Sequence, residues 1–137
     1  MKTEPRYWPV WMPPAQTISA VPAGRWWDAV VVPQTLGLDV LQFLDEVSGH
    51  CPGPVIWEPH SQRPRLYFLV AAGTAAGWDV PGVVALGVTA YVGVPGATTL
   101  EPPGPHWLCP PDPDDPEGLV DAVALREALL RAVGAAS

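Results

Sequence analysis

Nineteen prolines in 137 residues partition this chain before any other pattern is read. Each removes a backbone donor and biases the residue before it away from the helical region. Proline and glycine together make 32 residues, near the roughly 25–30% of low-complexity chains. Here the prolines bracket apolar runs instead of dispersing them. Leu, Ile, Val and Phe supply about a quarter of the chain, above the ~20% level below which disorder is expected. The sequence therefore predicts an extended Pro/Trp-rich arm over residues 1–23 and a single folded domain with rigid loops over 24–137. Through residue 24 no helical or strand period persists.

Within the domain, "WWDAVVV" reads as a strand over 26–32, buried on both faces and ended by Pro33. Residues 35–47 read as a helix. Leu36, Val40, Leu44 and Val47 share one face, and Thr35 is placed as its N-cap. Strands are expected at 55–57 and 65–70, joined by the turn-like "EPHSQRP". Residues 73–79 fit a loop with a helical turn. Short strands flank Gly87 at 83–86 and 90–94, and "HWL" adds a last one. A terminal helix runs from Asp121 to Val133, with Leu125, Leu129, Leu130 and Val133 partly buried. Strand, helix, several strands, helix is the order of an α+β fold: a small, mostly antiparallel sheet carrying two main helices.

The formal net charge is −7, which disfavours general nucleic-acid binding. Basic side chains for a local anion contact are few: Arg25, Arg63 and Arg65, plus Arg6 in the arm. No apolar run approaches ~18 residues, so no membrane span is expected. The opening "MKTEPRYWPVWMPP" lacks the apolar segment of a signal peptide. A cytoplasmic location follows as the expectation, with Cys51 and Cys109 as reduced thiols.

Four blocks in order carry a resemblance: "GRWWDAVVVPQTLGLDVLQFL", "GPVIWEPHSQRPRLYFLVAAGTAAGW", "LGVTAYVGVPG" and "PHWLCPPD". Over roughly residues 24–112 the chain resembles the N-terminal domain of actinobacterial bifunctional DNA primase/polymerases, of the archaeo-eukaryotic primase superfamily. That family's first motif reads like G-R-x-F-D-V-L-D-V-P, with two metal-holding aspartates. Asp28 matches the first, and Val31 stands where the second belongs. Leu86 stands where the family has a histidine. Two-metal phosphoryl transfer needs several carboxylates around ions about 3.5–4 Å apart, and Mg²⁺ takes oxygen ligands. Valine and leucine supply none. The resemblance thus implies a primase/polymerase-like fold and argues against the family's chemistry.

Each remaining constellation has two readings. Asp28 is either a surviving functional acid or a strand-end carboxylate held by a loop or an arginine. His50, Cys51, His60, His106 and Cys109 are too scattered for the paired spacing of structural zinc. Tyr7, Trp8 and Trp11 either pack on the body or meet a partner. Trp26 and Trp27 point to opposite faces of a strand, so one belongs to the core. The expected function is a non-catalytic domain without metal or cofactor, acting on another protein through Tyr7, Trp8 and Trp11 or the terminal helix. The alternative is a nucleotide or small-ligand sensor using Arg25, Trp27, Asp28, Arg63 and Arg65. An enzyme of unrecognised chemistry ranks last.

Overall fold

The computed structural model describes residues 8–136. It has the α+β architecture: two helices and two antiparallel sheets. Strand β1 spans Ile18–Pro22, β2 Asp28–Pro33, β3 Val55–Glu58, β4 Arg65–Val70, β5 Val84–Leu86, β6 Tyr91–Pro95 and β7 His106–Cys109. Helix α1 spans Gln34–Ser48 and α2 Ala122–Ala136, and a 3₁₀ turn covers Thr74–Gly77.

The main sheet has the order β5-β2-β4-β3-β7. The valine run forms β2, flanked on both sides as its burial demands. Its side chains alternate between two cores. Val30 and Val32 join Leu66, Phe68 and Val70 of β4 under the helices, where Val40, Leu44, Leu125 and Leu129 meet them. Trp27 and Ala29 join Tyr67 and Leu69 on the opposite face, covered by Val21, Val92 and Val94 of the ribbon formed by β1 and β6. The order of layers is helices, sheet, ribbon.

Helix α1 follows β2 with no connecting loop. Its N-cap is Pro33, at φ −53° and ψ 145°, in place of the expected Thr35. A proline in extended conformation can close a strand and open a helix at once, because its fixed φ suits both. Gly37 is buried with Leu66 against it, where a Cβ would stand 3.2 Å from Leu66 Cδ2. That contact lets the helix lie close on β4. Gly49 ends the helix in the left-handed region, its N–H donating to the Asp45 carbonyl at 2.7 Å, the conformation in which glycine is favoured. Asp121 caps α2 by accepting the N–H groups of Val123 and Ala124 at 2.9 and 3.2 Å.

Three expectations are corrected. The strand-free stretch through residue 24 contains β1, which pairs in register with β6 from Ile18↔Pro95 to Pro22↔Tyr91. The apolar faces of the helices are narrower than expected: Val47, placed on one face with Leu36, Val40 and Leu44, is 71% exposed, and Leu130, expected to be partly buried, is 36% exposed. Cys51 and Cys109 are not separate thiols; they form a disulfide across a sequence separation of 58, with Cα atoms 6.0 Å apart. The pairing of Val55 with Cys109 in the β3–β7 ladder carries the second sulfur to the loop that follows α1.

Candidate functional site

The residues singled out in the sequence divide between the two ends of β2. Asp28 opens the strand opposite Val70, and Pro33 closes it opposite Arg65. Five residues at about 3.4 Å each put these ends about 17 Å apart.

At the first end, Asp28 is 1% exposed. Its Oδ2 accepts the N–H of Gly73 at 3.0 Å and of Ala75 at 2.7 Å. The carboxylate therefore pins the 3₁₀ turn that follows β4. Its Oδ1 is buried without a partner. Gly87 lies beside it; a Cβ there would stand 3.6 and 3.7 Å from the two carboxylate oxygens. Of the two readings of Asp28, the geometry is that of a strand-end carboxylate held by a loop.

Positions 28, 31 and 86 do not form a metal centre. The register of β2 is continuous, so Asp28 shares a face with Val30 and Val32, and Val31 lies on the other. Leu86 pairs with Ala29, on the same face as Val31. Both are part of the ribbon-side core. Among the described residues no three His, Cys, Asp or Glu side chains converge. The residues present at these positions do not fit a two-metal group.

Trp27, expected among the ligand contacts, has no exposed surface. Trp11 stands edge-on to it, ring centroids 5.8 Å apart. Trp11 is itself 6% exposed, so it is a core residue and not a free partner contact. Trp8 is half-buried, and Tyr7 lies outside the described residues. Arg25 is exposed with its guanidinium over Trp26 at 4.6 Å, at the Asp28 end and apart from the other two arginines.

No family model, curated protein or solved structure matches this chain. What the chain does must be read from its own geometry.

At the other end of β2 a groove of about 510 Å³ opens. Val31, Pro33, Pro64 and Val84 give it apolar walls, Arg63 and Arg65 give it charge, and Gln34 and Thr35 bring the start of α1. Among the described residues no carboxylate lines it. A groove of about 580 Å³ beside Thr98–Glu101 is larger but has no cation in its lining. Arg65 is fixed from two sides. Its Nη2 lies 3.6 Å from Glu58 Oε1, and its guanidinium sits 5.4 Å above the Tyr67 ring. Tyr67 donates its hydroxyl to Glu58 Oε2 at 3.0 Å. Burial, then the Glu58 charge, push the Tyr67 phenol up to about 12, with Arg65 opposing. Arg63 is exposed, and alone among the described arginines it has neither a carboxylate nor a ring partner.

The start of α1 adds donors. Its first turn carries no acid, and no side chain caps it. The Gln34 N–H goes to the Pro64 carbonyl at 3.0 Å. Gln34 Oε1 accepts from Trp57 Nε1 at 2.8 Å, which leaves the side-chain NH₂ available to donate. The first-turn N–H groups of a helix have no intrahelical acceptor. Cations and unclaimed donors thus meet in an apolar groove of an acidic protein. Arg63 and Arg65 stand out in the sequence, whereas Gln34 and the groove do not. The one local signal for them is the proline that ends β2 directly before the helix.

Proposed function

We propose that this chain is a non-catalytic recognition domain of primase/polymerase-like ancestry. Its ligand is a small anion bearing a phosphate or carboxylate, with nucleotides in that class, held in the groove between β2 and α1. The observation that carries the reading is that Arg63 and Arg65 line one groove free of acidic side chains. Arg65, braced by Glu58 and Tyr67, orients the charge. Arg63 supplies a cation with no internal partner to give up. The apolar walls take the ligand body, and Trp27 plays no part in stacking. The lost acidic and histidine positions of the resembled family, and the engagement of Asp28 with two amides, support binding without turnover.

A thermal-shift titration with inorganic phosphate, a nucleoside monophosphate and a short acyl carboxylate tests this. At least one should raise the unfolding temperature, because saturating ligand at 100 Kd adds about 2.7 kcal/mol. Arg63→Ala and Arg65→Ala should remove the effect, and Arg25→Ala should leave it unchanged. Silence from all three probes at millimolar concentration overturns the proposal.

A second reading, a protein-interaction or accessory module, draws support from the outer face of the helix layer. Phe43 and Val47 are exposed there and line a shallow groove of about 200 Å³. A protein that copurifies with the chain and is lost on Val47→Ser would support it. Undiminished copurification would remove it. A cytoplasmic setting belongs to the proposal as well; among the described residues no helix is long and apolar enough to cross a membrane.

A further inference from the structure

Among the described residues strand β1 leaves one edge open, and its chemistry points to a second copy of the same strand. The Gly96 N–H donates to Thr17 O at 2.8 Å, and the Ala23 N–H to Ala90 O at 2.9 Å. Together with the register of β1 against β6 these bonds fix the parity of the ladder. Hydrogen-bonded positions alternate along an antiparallel pair. Thr17, Ser19, Val21 and Ala23 therefore turn their backbone groups toward β6, and Ile18, Ala20 and Pro22 turn theirs away. Among the described residues β1 pairs with no strand other than β6. Ile18, Ser19 and Ala20 are all exposed.

Edge strands are commonly protected by brevity, by charge, by proline, by a bulge or by a covering segment. The sequence "ISAVP" has no charge, and its pairing with β6 runs without a bulge. Pro22, at the end of the edge, offers a carbonyl without an N–H.

We propose that two copies of this chain pair antiparallel through β1 about a two-fold axis at Ser19. Ile18 of one copy then lies opposite Ala20 of the other. Each such pair exchanges two N–H···O bonds, and the axis makes two pairs, so four bonds form. The large Ile18 side chain falls beside the small Ala20 side chain, and the two Ser19 hydroxyls face each other on the other surface. Two ribbons of two strands become one sheet of four. Because the contact itself is uncharged and each copy carries −7, salt strengthens it by screening the repulsion between the bodies.

Sedimentation velocity on the full chain over a concentration series tests the pairing, with amide exchange as a second readout. The expected result is a monomer–dimer equilibrium that shifts toward dimer with salt, with the Ile18 and Ala20 amides protected only in the dimer. Ala20→Pro removes an outward donor from each copy without touching the bonds to β6. It should raise the dissociation constant roughly tenfold or more. Should that variant fail to fold, Ala20→Lys keeps the amide and sets a charge on the edge, with the same expected loss. A wild-type chain that stays monomeric throughout the series overturns the proposal. So does a dimer unaffected by a folded variant, or a wild-type edge whose Ile18 and Ala20 amides remain unprotected, including a chain that pairs only with a different protein.

Discussion

Asp28 is a charged group almost without solvent contact, and its neighbours explain why it is tolerated. Two amide donors converge on one oxygen and replace water there. Hydrogen bonds to charged groups contribute about 1.5–3 kcal/mol each, and stranding the donors adds a penalty. Asp28→Ala should therefore cost about 2–3 kcal/mol in urea unfolding, with the 3₁₀ turn losing amide protection first. Asp28→Asn, which keeps an acceptor oxygen, should cost less. Equal stability of all three proteins would refute the latch. At this scale the sequence was informative in kind but not in partner. "WWDAVVV" marks a carboxylate at the end of a buried strand, and such a group needs donors. That the donors are the amides of residues 73 and 75 depends on how the chain turns after β4, which no local pattern encodes. Trp11 was similarly ambiguous, since a tryptophan between prolines looks the same whether it faces solvent or, as here, the ring of Trp27.

Among the elements, those with strong internal periodicity were legible. The spacing of Leu36, Val40 and Leu44 announces α1, although Val47, expected with them, is exposed, and the uninterrupted valines announce β2. Strand β1 was not legible because "ISAVP" is short and weakly alternating, and its partner β6 lies about 70 residues further on. The strands flanking Gly87 were visible, but not that β5 joins the main sheet and β6 the ribbon. The disulfide belongs to the same class of long-range facts. It ties the loop after α1 to the last strand of the sheet and closes a segment of 58 residues, for which chain-entropy arguments give about 4 kcal/mol. Reductant should lower the denaturant midpoint of the wild-type chain accordingly, and leave a Cys51→Ser/Cys109→Ser chain unmoved. Cytosolic thiols are normally kept reduced. Counting free thiols in chain drawn directly from cells will therefore decide between the cytoplasmic expectation and an oxidising setting.

Across the whole molecule, charge and ligand geometry separate. The chain is strongly acidic, yet its candidate groove carries two arginines and no acid. Arg126, by contrast, is spent on Asp79, to which it donates twice at 2.8 and 3.0 Å on the exposed surface, where such pairs add little stability. The composition foretold the acidity and the scarcity of cations; only the fold reveals that two of the six arginines share a groove.

The main sheet separates two cores, so it acts as a partition wall between two rooms. Phe68 and Leu69 are consecutive in the chain, but they furnish different rooms. Truncating one loosens the helices, and truncating the other loosens the ribbon. Odd and even positions along β4 are in effect two independent strain gauges, from which the side that gives way first under stress can be learned.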